Sequence, residues 1–147
     1  MKTDSYPQID RLIEAISTLK LVFTVEPHSA ELDRLDFRRI RLNCNGKGLS
    51  IPVADEYGDV DLNNPVVLLH LVLQACEFYE EAADFLVWSK DLGINASDPQ
   101  ARQIYFELRE AVPQARALLG HDLKAIPAFD IELNTGLARA LRQARVL

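Results

Sequence analysis

Between Pro65 and Leu92 the chain is apolar at nearly every position except along one file of polar residues, and no other stretch limits its fold as tightly. The polar positions His70, Gln74, Glu77, Glu81, Asp84 and Asp91 follow at intervals of 4, 3, 4, 3 and 7, which trace one narrow stripe on a helix. Asn64-Pro65 offers an N-cap followed by proline at the first helical position, and Gly93 offers the left-handed residue that ends a helix. The pattern predicts one long helix over 65–92, packed on several sides, with only the stripe reaching water. Trp88 falls on that stripe beside Glu81 and Asp84.

The flanking segments predict what that helix packs on. Ser5-x-x-Gln8 is a capping box, and Ile9, Leu12, Ile13, Ile16 and Leu19 follow at helical spacing, giving a first amphipathic helix to about Leu19. Leu21 to Val25 is β-prone and is closed by Pro27. Asn45-Gly46 is the dipeptide that a two-residue type I′ turn favours, because both central residues need positive φ. With that turn Leu42 faces Leu49 and Ile40 faces Ile51, while Arg39, Arg41, Asn43 and Ser50 fall on the opposite face, so a hairpin is expected over about 37–53. Pro52 cannot donate to a ladder, so the second strand is expected to lie at a sheet edge there or to end there.

Asp98-Pro99 repeats the cap-and-proline signature, and Ala101, Ile104, Tyr105, Leu108, Ala111, Val112 and Ala115 predict a helix over 99–119, antiparallel to the long one. Pro113 lies inside that pattern and is expected to kink or break it. Further on, Phe129 to Leu133 alternates strictly, predicting a strand over about 128–133, and a last helix follows Asn134. The expected architecture over 1–147 is a single α+β domain: a hairpin with one or two further short strands, packed on a helical layer.

A chain of 147 residues can bury roughly 68–70% of its unfolded surface, enough for a core without metal or disulfide staples. The first residues, MKTDSYPQID, lack an apolar signal core, and no apolar run reaches the roughly 18 residues of a membrane span. A cytoplasmic protein is therefore expected, with Cys44 and Cys76 as reduced, buried thiols, and the sequon Asn95-Ala96-Ser97 unused.

Charge is unevenly spread. The net charge of −6 is concentrated in residues 54–98, where 10 Asp/Glu meet a single lysine; the segments before and after are slightly basic. Asp59-x-Asp61-x-Asn63 copies the start of a calcium loop, but the sixth position is Asn64 instead of glycine and the twelfth is His70 instead of glutamate. Glu77, Glu80, Glu81 and Asp84 crowd one helix without the Glu-x-x-His pairs of a di-metal bundle, and His70 stands roughly 10 Å along the axis from Glu77. Nucleophile, zinc and phosphate-loop motifs are absent from the sequence, so no catalytic, metal or cofactor residue is assigned. Arg38, Arg39 and Arg41 form a small basic patch, yet an acidic chain with a pI near 5.0 argues against nucleic acid.

The remaining reading is an interaction protein. Its acidic middle third would dock a basic protein partner, in the manner of small acidic inhibitors and immunity proteins, because complementary charge speeds and directs encounter. The candidate partner-binding residues are Asp59, Asp61, Glu77, Glu81, Asp84, Trp88 and Phe106, the last lying among Arg102, Gln103, Arg109 and Glu110. Two alternatives stand beside it: a small enzyme with a site around His70 or His121 and the acidic loop expected over Ala54 to Asn64, and a homo-oligomer joined through Phe106 or the hairpin edge.

Overall fold

A computed structural model describes residues 7–18, 20–27, 35, 37–44, 46–54 and 62–120. In chain order these form α1 (Pro7–Thr18), β1 (Leu21–Val25), β2 (Phe37–Cys44), β3 (Lys47–Ala54), α2 (Pro65–Glu81), α3 (Phe85–Asp91), α4 (Pro99–Ala115) and a π-helical turn, Arg116–Gly120. The fold is α+β. The strand expected over 128–133 and the final helix lie outside the described residues.

The three strands make one antiparallel sheet in the order β1-β2-β3. Ile40 pairs with Ile51 and Leu42 with Leu49, as the turn chemistry predicts; Cys44 opposite Lys47 leaves a two-residue connection in which Gly46 takes φ 82°. A one-residue slip would turn Ile40, Leu42 and Ile51 to the wrong face, so burial and turn enforce the same register. β1 joins the other side of β2, with Phe23 opposite Leu42 and Val25 opposite Ile40. One sheet face is thus almost wholly apolar: Leu21, Phe23, Ile40, Leu42, Ile51 and Val53 are all buried.

α2 covers that sheet, touching both β1 and β3. Asn64 starts it, its Oδ1 accepting from the Val66 N–H at 3.0 Å with Pro65 in the first turn. Every residue from Val66 to Val72 is buried, which is how a helix apolar all round must sit. α4 lies against β3 and α2, its buried row Ala101, Ile104, Leu108, Ala111, Val112 and Ala115 turned inward. Asp98 caps it by accepting from Gln100 N–H at 2.9 Å, and the buried Gln100 side chain in turn accepts from the Leu35 N–H at 2.8 Å. Glu107 reaches Arg39 on the sheet's other face at 3.1 Å.

Two expectations are corrected. The helix foreseen over 65–92 is two helices, because the chain leaves helical geometry at Ala82, with ψ 129°, and restarts after Asp84. Asp84 is the cause: its Oδ1 accepts from the Val87 N–H at 3.0 Å, and a short acidic side chain that can bond a nearby backbone amide competes with helix continuation. Gly93 does end the second helix, at φ 68°, with the Ile94 N–H donating to Ser89 O at 2.8 Å and the Gly93 N–H to Lys90 O at 3.1 Å. The second correction concerns Pro113, which neither ends nor interrupts α4. The helix runs through it to Ala115, and the backbone then widens into the π-helical turn, a geometry that absorbs a disturbed hydrogen-bond ladder.

Candidate functional site

The break at Ala82 to Asp84 turns the chain through a corner, and the corner determines what reaches solvent. Restarting the helix at Phe85 resets its phase, so residues that one continuous helix would bury now point out: Leu86 is 65% exposed and Val87 38%, while Phe78, in the last turns of α2, is 37% exposed. Around them Glu81, Asp84 and Asp91 are exposed and Glu77 is half-buried. Asp84 has two duties here, because the carboxylate that caps α3 also contributes negative charge to the corner.

The same phase change sends Trp88 inward. Expected on the polar stripe as a partner contact, it is 1% exposed and sits among Phe37, Phe85 and Tyr105 with ring centroids 6.1, 6.1 and 5.4 Å away. Tyr105 also meets Tyr79 at 5.3 Å, so these rings join α3 and α4 to the end of α2. Trp88 is a core residue, not a docking residue.

The other foreseen positions are dispersed. Phe106 is 49% exposed on α4, along an open depression it shares with Ser97, Arg102, Gln103 and Glu110, and is not part of the corner. Arg102 in that region stands 4.7 Å over the Phe85 ring, a cation–π contact that ties α4 to α3. Asp59, Asp61 and His121 lie outside the described residues. His70, read as the start of the solvent stripe, is 3% exposed within the buried half of α2.

Ion pairing subtracts from both charge patches read in the sequence. Glu80 takes a two-pronged contact from Arg116, Nε at 2.9 Å and Nη2 at 2.7 Å, which neutralises one acid beside the corner. Of the strand arginines, Arg39 is held by Glu107, and Arg41 stands 3.9 Å from Glu26. Among the described residues of the corner, Glu81, Asp84 and Asp91 are the exposed acids, with Lys90 exposed beside them.

Interior chemistry is limited. Cys44 and Cys76 are both buried and neither is in a disulfide, as expected of reduced thiols. Burial, with the Glu80 carboxylate adding to it, pushes the Cys76 thiol up to about 12, so at neutral pH it stays protonated and unreactive. A cavity of about 20 Å³ lies between Pro52, Leu71, Ala75, Trp88 and Leu108, room for about one water. Among the described residues no group of three or more His, Cys, Asp or Glu side chains is placed to hold a metal ion, and no helix is long and apolar enough to cross a membrane.

Sequence reasoning missed Leu86 and Val87. Their signal was Asp84 followed by a fresh apolar run, the same cap pattern recognised at Asn64 and Asp98 but without the proline that made those two conspicuous. No protein-family model matches the chain, and no curated protein and no solved structure matches it.

Proposed function

We propose that this chain is a non-enzymatic, cytoplasmic interaction protein whose α2–α3 corner binds a basic protein partner, as acidic inhibitors and immunity-type proteins do. The observation that carries the reading is the juxtaposition at one corner of exposed apolar side chains, Leu86 above all at 65%, with the exposed carboxylates of Glu81, Asp84 and Asp91. An apolar centre with a charged surround is how protein interfaces divide labour. Buried apolar contacts supply affinity, and surrounding charge supplies orientation and encounter rate. The partner this fits carries lysines or arginines around an apolar contact. The acidic stretch of residues 55–61 adds to the same charge along the sequence.

A small enzyme built around His70 is less favoured, because substrate would have to reach an imidazole that is 3% exposed.

Affinity capture from the native host, with the wild-type chain and a Glu81→Lys/Leu86→Asp/Asp91→Lys variant side by side, tests the proposal. Both Glu81 and Asp91 are free of capping duty, so the variant changes the corner without removing the start of α3. A basic protein retained by the wild type and lost by the variant supports the reading. Equal retention of every captured protein by both chains rejects it.

A further inference from the structure

We infer that the outer face of α4 packs against the same face of a second copy, the two helices running antiparallel across a two-fold axis at Phe106. One side of α4 is buried in the core, while the other carries Arg102, Gln103, Phe106, Arg109, Glu110 and Pro113, all exposed. Steps of three and four residues join them into one strip along the helix. Phe106 is 49% exposed and lies one residue from the midpoint of the 17-residue helix. A large aromatic ring with charged and amide groups around it has the composition of an interface centre and its rim. Arg102, Gln103 and Glu110 share one open depression with that ring.

The order of the charges says what the strip fits. A two-fold axis at Phe106 sets each residue against the one equally far along the helix in the other direction. Arg102 then faces the copy's Glu110, Gln103 faces the copy's Arg109 and Pro99 faces the copy's Pro113, each contact occurring twice. Both arginines meet a carboxylate or an amide oxygen, the two Phe106 rings meet at the centre, and proline closes each end. Parallel packing would instead set Arg102 beside Arg102 and Glu110 beside Glu110.

Neighbouring contacts prepare the strip for this pairing. Arg102 stands 4.7 Å over the Phe85 ring, which steadies its guanidinium while the N–H groups at the edge of that plane can still donate to a carboxylate. Glu107 is engaged by Arg39 at 3.1 Å and so does not compete with Glu110 for the copy's Arg102. An apolar element suits the strip less well. The last helix expected from the sequence would bring Leu137, Leu141 and Val146, or the arginines beside them, against Arg102 and Arg109. A strip one helix wide and about 22 Å long is well below the roughly 800 Å² per partner of a stable complex, so the dimer is weak, with a dissociation constant of about 100 μM. Pairing through Phe106 does not depend on what the α2–α3 corner binds.

Sedimentation equilibrium of the full chain tests this with Phe106→Glu, Arg102→Glu and Glu110→Arg. The wild type is expected to dimerise reversibly as concentration rises. Phe106→Glu, which sets two carboxylates at the axis, should be folded by circular dichroism and monomeric throughout. Each charge reversal alone places like charges against each other on both sides of the axis and should raise the dissociation constant about tenfold. Mixing Arg102→Glu with Glu110→Arg makes both facing pairs opposite again, and the heterodimer should return to within about threefold of the wild-type constant, which no loss of folding could mimic. A wild type that stays monomeric at its highest soluble concentration overturns the inference, and is the result if residues 121–147 or a different protein take this face. A dimer indifferent to Phe106→Glu, or charge variants that do not recover on mixing, overturns it as well.

Discussion

Replacing Trp88 with alanine separates the corner geometry described above from a single unbroken helix, on which the same residue would face water. A tryptophan buries up to about 250 Å² of surface, worth about 6 kcal/mol at 25 cal/mol per Å². Residual burial in the unfolded chain lowers such figures by roughly 10–40%, bringing the expectation to about 4 kcal/mol, within the range found for large aromatic-to-alanine core changes. The surroundings do not relax the estimate. Trp88 is 1% exposed, three aromatic rings line its pocket, and the 20 Å³ cavity beside it shows the site already incompletely filled. For a domain stable by about 5–15 kcal/mol this is a large fraction of the total. Urea unfolding followed by circular dichroism measures it, with Leu86→Ala as the control, expected to cost no more than about 0.5 kcal/mol because Leu86 is 65% exposed. Trp88 is the only tryptophan, so its fluorescence and acrylamide quenching report on the same point without mutation. A Trp88→Ala penalty no larger than that of Leu86→Ala, or quenching in the native protein equal to that in urea, would refute the reasoning.

Further predictions concern a thiol, a cap and a glycine. Cys76 has its pKa raised from 9.0 to about 12, so the unfolded chain loses this proton at a lower pH than the folded one. Stability is unaffected below about pH 9 and falls between about pH 9 and 12, with roughly 2 kcal/mol lost by about pH 10.5. Urea midpoints should decline across that window more steeply for wild type than for Cys76→Ala; equal slopes would dismiss the assignment. Asp84→Ala should cost about 1 kcal/mol by removing the α3 cap, and Asp84→Asn only a few tenths because its side-chain oxygen still accepts from Val87 N–H, as chemical denaturation can show. Gly93→Ala should cost about 1 kcal/mol from strain alone, since φ is 68° and nothing lies within 4 Å of the added methyl group. A smaller loss on thermal unfolding would mean that the backbone there can relax.

How much of this was legible in the chain depended on whether a residue had one reading or two. Asn45-Gly46 and the Ile40, Leu42, Leu49 and Ile51 pattern agree on one register, and the sheet has it. Asn64-Pro65 and Asp98-Pro99 each state a helix start twice, by cap and by proline, and both helices begin there. Asp84 is both a polar residue at the right interval for a stripe and a capping side chain. Periodicity favours the first role, while the local hydrogen bond to Val87 decides for the second. Everything downstream of that choice shifts phase, which is why Trp88 was expected outside and Leu86 inside. The acidic half of the candidate surface was therefore visible in the sequence, at Glu81 and Asp84, whereas its apolar half was hidden until the break was known. Pro113 shows a different limit, since the cost of a lost amide depends on whether the next turn can widen, and that is a property of the packed helix end.

The most direct test of the central claim is a calorimetric titration of the captured basic partner into the wild-type chain, the Leu86→Ala chain and the Glu81→Lys chain at low and high salt. An apolar centre with a charged surround predicts that Leu86→Ala weakens binding about tenfold or more at both salt concentrations. It predicts that Glu81→Lys weakens binding mainly at low salt, where charges are least screened. Affinity unchanged by either substitution would contradict the claim that the α2–α3 corner is the binding surface.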